Sequence, residues 1–161
     1  MNEKELLYWN NYLRSINLGT KAEPYVETSI AGNIDIANSL LSLYLSGKKY
    51  AGSGLVKDYQ LAGDELPKIG NHWIVLDAKG TPCCILKTIR VETHLFKNIT
   101  KEIAIAEGEG DLSIETWKKL HRKFFTPYLQ EFKIDNLDDE PIITEFYELV
   151  YTGAGKVDLT V

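Results

Sequence analysis

The sequence has few of the residues that support metal, disulfide or redox chemistry. Among its 161 residues are two cysteines, three histidines and one methionine. Cys83 and Cys84 are adjacent, and because neighbouring side chains on a strand point to opposite faces, we do not expect them to share a metal ion or form a disulfide. His72, His94 and His121 lack the spacing of metal ligands. The sequence therefore predicts no metal and no cofactor, and the lack of a disulfide framework favours a reducing, cytoplasmic location.

The chain also lacks a basic surplus and a long apolar run. Lysine and arginine together number 18, aspartate and glutamate 23, and the formal net charge is −5. Because neutralising duplex phosphates needs a basic surface, we expect no duplex DNA partner. Residues 40–45 form the longest apolar stretch, which is too short to span a bilayer, and residues 1–5 are polar and acidic, unlike a secretory signal. No membrane partner is expected, and the oligomeric state stays open.

What the chain does contain is an ordinary globular composition with signals for both helices and strands. Hydrophobic residues make up 44% and charged residues 25%, and the length suits one domain. Apolar residues at helical spacing predict helices over residues 3–16, 35–46, 99–107 and 113–132. Short apolar or alternating runs predict strands over residues 72–77, 82–96 and 141–151. We interpret residues 20–33 as a connector and residues 49–59 as an edge strand or a loop.

The order of these elements argues against a doubly wound sheet, because no regular strand–helix–strand alternation runs through the chain. We expect an α+β domain in which a mostly antiparallel, curved sheet or small β-barrel is flanked by helices. Gly19 is predicted to end the first helix, and Pro127 to end or kink the last one. The C-terminal tail, Thr152–Val161, is the one candidate for disorder.

The first polar cluster follows the second predicted helix, over residues 47–54. Lys48, Lys49 and Tyr50 lie among glycines there, so side-chain donors and exposed backbone amides come together. Such a set suits an anion, a carbonyl oxygen or the edge of a base, although the fixed order of a phosphate-binding loop is absent. The alternative is a helix stop at Gly47 with solvated lysines, followed by a strand. Both interpretations stay open at this point.

The second cluster is acidic and lies between two predicted helices. Glu107, Glu109 and Asp111 alternate with glycines, and three carboxylates could bind a hard cation. The spaced twelve-residue calcium pattern is absent, however, so no metal site is expected. One interpretation is a flexible acidic turn in which Asp111 caps the next helix. The other is that one carboxylate faces a lysine and a substrate, with the pKa of one carboxyl raised by its like-charged neighbours for proton transfer.

The last long helix carries a basic face. Its basic side chains are Lys118, Lys119, Arg122 and Lys123, and its predicted apolar stripe is Trp117, Leu120, Phe124 and Tyr128. The acidic total charge favours a solvated face, and contact with an RNA backbone is the alternative. His121 borders the apolar stripe, and we expect it to be structural and half-buried.

Several blocks of the chain, in their order and spacing, resemble those of ASCH domains. They are Gly47-x-Lys49, Pro67-Lys68-Ile69-Gly70, Trp73-Ile74-Val75-Leu76-Asp77, Ala106 to Asp111 with Trp117 and Phe124-Phe125 after it, and Glu145-Phe146-Tyr147. The resemblance covers roughly residues 40–151 and extends to bacterial single-domain members of about this length. It implies a PUA-like small β-barrel with flanking helices and a cleft beside the barrel. The implied organisation is a single domain with an N-terminal helical extension over about residues 1–33, a core over 34–151 and a tail over 152–161.

The resemblance also implies a function. ASCH domains are linked to RNA, modified nucleobases and transcription coactivation, and one branch hydrolyses the acetyl amide of N4-acetylcytidine. That branch uses a lysine, a threonine three residues later and a glutamate before the long helix, which correspond here to Lys49, Gly52 and Glu109. The hydroxyl is therefore missing at position 52, Ser53 beside it is expected to face the other way, and Gly54 lies where the family has an arginine.

We accordingly expect a protein that binds, or binds and hydrolyses, a nucleobase, a nucleoside or an RNA-derived ligand in a cleft. Lys49 would act as a base or activate water, and Glu109 would carry the proton to the leaving amine. The expected ligand contacts are Gly47, Lys48, Tyr50, Gly52, Ser53, Glu107 and Asp111, with Tyr50 stacking on a base. One alternative is an RNA-binding or ribonuclease module that uses the basic helix face and is sensitive to salt. Another is a non-catalytic interaction domain with an exposed apolar patch.

Overall fold

The computed structural model describes residues 1–18 and 22–153. The predicted helix end at Gly19 and residues 154–161 of the predicted tail lie outside the described residues. Five helices are described: α1 (Glu3–Ser15), α2 (Ala37–Leu45), α3 (Val56–Ala62), α4 (Lys101–Glu107) and α5 (Ile114–Phe125). The described strands are β1 (Val26–Ile30), β2 (Ala51–Leu55), β3 (His72–Leu76), β4 (Pro82–Leu95) and β5 (Pro141–Tyr151). Short 3-10 turns lie at Phe96–Asn98, Thr126–Tyr128 and Leu137–Asp139.

The strands form a five-stranded sheet in the order β1-β3-β4-β5-β2. β1 runs parallel to β3, with Val26 opposite His72. β3 and β4 are antiparallel, as are β2 and β5, where Ala51 lies opposite Phe146. The mixture of helices with a largely antiparallel sheet confirms the predicted α+β class and excludes a doubly wound arrangement.

Two elements were not expected from the sequence. β1 lies in the stretch 20–33 that was predicted as a connector. None of its five residues is fully buried, and its sequence has no run of apolar residues that would mark a buried strand. α3 follows β2 directly and begins inside the stretch 49–59 that was predicted as an edge strand or a loop; it is only seven residues long and buries Val56 alone. A helix of two turns with one buried residue is too short to show a helical repeat of apolar positions.

The last long helix is shorter than predicted and buries a different set of side chains. α5 ends at Phe125, and the chain continues into a 3-10 turn that contains Pro127, so the predicted interruption by proline is confirmed. Its buried residues are Trp117, His121 and Phe125. Of the predicted stripe, Leu120 and Phe124 are only half-buried. The predicted stripe is right for Trp117, and Phe124 packs against the core, but Tyr128 is exposed. The buried face continues from Trp117 at a four-residue spacing through His121 to Phe125.

The chain divides into two compact units, and β4 and β5 contribute residues to both. The first unit comprises Met1–Gly47, Ile69–Ile89 and the chain from Tyr147 onwards. In one of its apolar clusters Trp9 and Tyr12 of α1 pack with Ile74 and Ile85. His72 is buried in the same unit, and its Nε2 lies 3.1 Å from the hydroxyl of Tyr12.

The second unit comprises Lys48–Lys68 and Arg90–Phe146. Its core brings together side chains from β2, α4, α5 and β5, among them Ala51, Phe96, Ile103, Trp117, Phe125 and Ile142. Apart from Gly47, this unit contains both polar clusters and the basic helix face predicted from the sequence. Among residues 1–18 and 22–153, no helix has the length and apolar character that crossing a membrane requires.

Candidate functional site

A tight backbone crossing brings the two polar clusters together. The segment Lys48–Tyr50 runs past the end of α4, where the amide of Tyr50 donates a hydrogen bond of 2.8 Å to the carbonyl oxygen of Ala106. Gly108 caps α4 in the left-handed conformation, with φ at +68°. A Cβ on Gly108 would lie 2.1 Å from the carbonyl oxygen of Lys48. Only glycine combines this conformation with this approach, so residue 108 is what lets the two segments meet.

Lys49 turns into the protein, unlike its neighbours. Lys49 is 4% exposed, whereas Lys48 and Tyr50 are exposed. The Lys49 ammonium lies 2.6 Å from Oε2 of Glu107 and 2.9 Å from Oε1 of Glu109, and it also donates to the carbonyl oxygen of Glu107 at 3.2 Å. The interpretation as two solvated lysines is therefore right for Lys48 and wrong for Lys49.

Glu107 is the buried centre of the cluster. It is 1% exposed, and its Oε1 accepts a 3.0 Å hydrogen bond from the indole N–H of Trp117. Burial raises the pKa of this carboxyl, but the charges of Lys49 and His121 and their hydrogen bonds outweigh burial and hold the pKa well below its ordinary value. The expectation that like charges raise a carboxyl pKa in this loop is therefore wrong for Glu107, because its nearest charged neighbours are cationic.

His121 is part of the cluster, which the sequence did not predict. It is 8% exposed rather than half-buried, and its Nε2 lies 3.5 Å from Oε2 of Glu107. Its ring stacks on the indole of Trp117 with centroids 3.7 Å apart and an interplanar angle of 14°. The available signal was its spacing of four residues from Trp117, which puts both side chains on one face of α5.

The remaining acidic residues have different surroundings. The side chain of Glu109 is 22% exposed, so this carboxylate touches both the buried lysine and the solvent. Asp111 is exposed, and its Oδ1 accepts a 3.0 Å hydrogen bond from the amide of Ser113, the cap of α5. Hydrogen bonds from Ser113 and Thr116 lower the pKa of Asp111 to about 2. Asp111 thus supports the start of the helix, as the capping interpretation predicted.

The strand after Lys49 carries a separate hydroxyl pair. Gly52 lies opposite Glu145 and Ser53 opposite Thr144 in the pairing of β2 with β5. The hydroxyl oxygens of Ser53 and Thr144 are 2.7 Å apart, and Thr144 is fully buried. The hydroxyl of Ser53 is therefore hydrogen-bonded to Thr144 of β5. The expected ligand contacts of Gly47, Gly52 and Ser53 stay predictions.

The basic face of α5 is only partly open. Lys118 donates to the carbonyl oxygen of Lys97 at 2.8 Å. Arg122 pairs with the carboxylate of Asp138. Lys119 and Lys123 are exposed. Across residues 1–18 and 22–153, no group of three or more His, Cys, Asp or Glu side chains is arranged to hold a metal ion.

Comparisons with known proteins agree with this architecture. An ASCH domain structure from Lactobacillus crispatus JV V101 is 28% identical, with a TM-score of 0.85 over 94% of this chain and 96% of that chain. A protein of Enterococcus faecalis V583 is 27% identical, with a TM-score of 0.81 over 93% of this chain and 90% of that chain. These likenesses confirm the PUA-like α+β fold class. A comparison with curated proteins finds no relative. The family model of the ASCH domain matches residues 27–151 of this sequence, so the chain belongs to the ASCH domain family.

Proposed function

We propose that this protein binds a nucleobase or nucleoside, free or as part of single-stranded RNA, at Glu109. The ASCH family is associated with RNA binding. The proposal rests on the Glu109 carboxylate. Its Oε1 is paired with the buried ammonium of Lys49, while part of the Glu109 side chain is exposed to solvent. A carboxylate held in this way is a preorganised acceptor for the donors of a ligand.

The charges of the cluster indicate which part of a nucleotide faces it. Of the charged side chains Lys49, Glu107 and Glu109, the one that meets solvent is Glu109, which carries a negative charge. A phosphate would be repelled, whereas an N–H donor would be attracted. Carboxylates accept hydrogen bonds from the exocyclic amino group of cytosine, which makes a cytosine-type base edge the best match.

Two exposed neighbours extend the proposed site. Tyr50 is 43% exposed and directly follows Lys49, so its ring can stack on an unpaired base, the usual partner of exposed aromatic side chains in RNA recognition. Lys48 is also exposed and carries a positive charge that suits the phosphate of an RNA-borne nucleotide. The base would thus meet Glu109 and Tyr50, and the backbone would meet Lys48.

If the ligand carries an N4-acyl group, the same residues support its hydrolysis. Water would add to the acyl carbonyl carbon while Glu109 accepts the water proton, and Glu109 would then pass that proton to the amine as the C–N bond breaks. The products are a carboxylic acid and the free cytosine-type base. Two carboxylates favour the ammonium form of Lys49, and its hydrogen bonds go to Glu107 and Glu109, so we assign Lys49 to orienting Glu109 rather than to accepting a proton.

The test is binding and turnover of N4-acetylcytidine and cytidine by the purified protein. We expect binding by the wild type that Glu109→Gln and Lys49→Met both weaken, and hydrolysis that both variants abolish. Glu131→Gln, a change at an exposed carboxylate of the same unit, serves as the control and should behave like the wild type. If the folded wild type binds neither nucleoside, or if Glu109→Gln binds as the wild type does, the proposal is wrong.

The basic face of α5 supports a second candidate, an RNA-binding or ribonuclease module. Lys119 and Lys123 are exposed on the same helix that holds Trp117 and His121. Binding through phosphates would weaken steeply with salt and would drop in a Lys119→Gln/Lys123→Gln variant, whereas binding of a single base would depend little on salt. A titration with a short single-stranded RNA at two salt concentrations separates the two, and cleavage of that RNA would identify a ribonuclease.

A further inference from the structure

His121 has a position in the cluster that neither base recognition nor hydrolysis explains. It belongs to α5, and its ion-pair contact in the cluster is with Glu107. Its Nε2 faces the same carboxylate oxygen, Oε2 of Glu107, that the ammonium of Lys49 contacts at 2.6 Å. Trp117 holds the other oxygen of that carboxylate. Three donor-bearing side chains therefore surround one buried carboxylate.

The hydrogen-bond pattern determines which nitrogen of His121 carries a proton. Nδ1 lies 2.9 Å from the carbonyl oxygen of Trp117, and a carbonyl only accepts, so Nδ1 must donate. In a neutral ring Nε2 would then present a lone pair to a carboxylate oxygen 3.5 Å away, which is repulsive. In an imidazolium Nε2 presents an N–H, which is attractive. Stacking on Trp117 prevents the ring from turning away.

We propose that His121 is a positioning residue of this site, and that its imidazolium form holds Glu107 so that Glu107 in turn orients Lys49 towards Glu109. As far as ligand binding is concerned, this inference rests on the proposed function. The contacts form one continuous series from His121 through Glu107 and Lys49 to Glu109, with distances of 3.5, 2.6 and 2.9 Å. A displacement of Glu107 would therefore reach the exposed carboxylate of Glu109 through Lys49.

The charged groups that face His121 determine whether ligand binding strengthens or weakens as the pH rises. Nε2 of His121 contacts Glu107 from α4, and Glu107 is paired with Lys49, which is in turn paired with Glu109. The ring neighbours of His121 on α5, Trp117 and Phe125, are uncharged. With an imidazolium, two positive and two negative charges balance. When His121 loses its proton, the cluster carries −1 and Nε2 repels Glu107. Ligand binding should therefore be strongest while His121 is protonated and should weaken as the pH rises.

The test compares two substitutions of His121. Gln at this position can still donate to Glu107 but does not titrate, whereas Phe keeps the stacking and cannot donate. We expect wild-type affinity for N4-acetylcytidine to fall between pH 5 and pH 8, the range in which histidine side chains change charge. His121→Gln should keep the affinity and lose the pH dependence, and His121→Phe should bind about tenfold more weakly at pH 6. If His121→Phe binds as tightly as His121→Gln and both keep the wild-type pH profile, the inference is overturned.

A readout without ligand separates this inference from the proposed function. The indole N–H of Trp117 donates a hydrogen bond to Glu107, and the indole ring stacks on His121. The NMR resonance of this N–H should therefore shift with pH in the wild type and stay constant in His121→Gln. Substitution of Trp117 by Phe identifies the resonance among the three tryptophans. If the resonance moves but no nucleoside binds, the positioning contact stands and the proposed function fails. If the resonance does not move in the folded wild type, the positioning inference fails whatever the protein binds.

Discussion

The ammonium of Lys49 and the carboxylate of Glu107 form an ion pair of 2.6 Å in which both side chains are at most 3% exposed. Removing two charges from water is costly, and the attraction between them compensates only when the geometry is good and further hydrogen bonds are present. Here Trp117 supplies one such bond, and the crossing at Gly108 sets the distance. The pair therefore ties two chain segments together at the place where Glu109 reaches the surface.

The two partners of this ion pair should be energetically coupled, so that removing both lowers the free energy of unfolding by less than the sum of the two single removals. Glu107→Gln leaves the buried ammonium of Lys49 without its closest anion, and we expect the free energy of unfolding to fall by about 3–5 kcal/mol. In Lys49→Met/Glu107→Gln no unpaired charge remains at this position, so the double variant should lose less than the sum of the two single variants. Urea unfolding of Lys49→Met, Glu107→Gln and the double variant measures the three losses. Glu131→Gln, at an exposed site, should change stability by no more than about 0.5 kcal/mol, and strictly additive losses would contradict a coupled pair.

Two glycines with nearly the same backbone allow a matched test of the crossing. Gly63 and Gly108 end the seven-residue helices α3 and α4, with φ of +74° and +68°. Nothing lies within 4 Å of a Cβ at Gly63, whereas a Cβ at Gly108 would collide with the backbone of Lys48. Gly63→Ala should cost only the strain of the left-handed conformation, about 1–2 kcal/mol.

Gly108→Ala should lose at least about 2 kcal/mol more than Gly63→Ala, because the backbone of Lys48 must move as well. Thermal and urea unfolding provide the comparison, and the nucleoside-binding assay should show weakened binding for Gly108→Ala alone. Equal losses in the two variants would mean that the crossing adjusts freely and does not hold Lys49 in place.

Local signals predicted most of the fold. Apolar spacing and breakers located α1, α2, α4 and the start of α5, and apolar runs located β3, β4 and β5. β1 and α3 were missed because each buries too little to show a repeat. β1 is in addition defined by its pairing with β3, more than 40 residues further along the chain.

The site was predictable only where a known family pattern pointed to it. The resemblance brought Lys49 and Glu109 together, and the structure places them 2.9 Å apart. Glu107 as the buried anchor and His121 as its neighbour were not predicted, because burial there depends on the crossing at Gly108. No local pattern distinguishes a glutamate at a helix end that is buried from one that is solvated.

Protonation of His72, which is buried in the first unit, should make the free energy of unfolding depend on pH. Burial against Trp9 and Tyr12 lowers the pKa of His72, the carbonyl of Gly70 opposes this, and the positive charge of Lys87 adds to the lowering. The unfolded chain therefore takes up this proton more readily than the folded chain. The stability from neutral His72 is fully present above the ordinary pKa of 6.5 and is lost as the pH falls below it.

We expect the Tm of the wild type to fall more steeply than that of His72→Gln as the pH is lowered from 7.5 to 5. Tyr12→Phe serves as the control, because it removes one hydrogen bond but leaves His72 buried, so the wild-type dependence on pH should remain. Differential scanning calorimetry at four pH values gives the comparison. Parallel curves for the wild type and His72→Gln would show that other groups cause the acid sensitivity.

Tyr50 tests whether the exposed part of the site recognises a base. Its amide is used in the crossing, but its ring is 43% exposed, so a change at the ring should leave the fold intact. Tyr50→Phe keeps the stacking surface and should bind N4-acetylcytidine like the wild type. Tyr50→Ala should weaken binding by about 1–3 kcal/mol, the usual contribution of one stacked base. Tyr25→Ala, at a ring that is 62% exposed, is the control, and an equal loss in both alanine variants, or none in Tyr50→Ala, would place the base elsewhere on the protein.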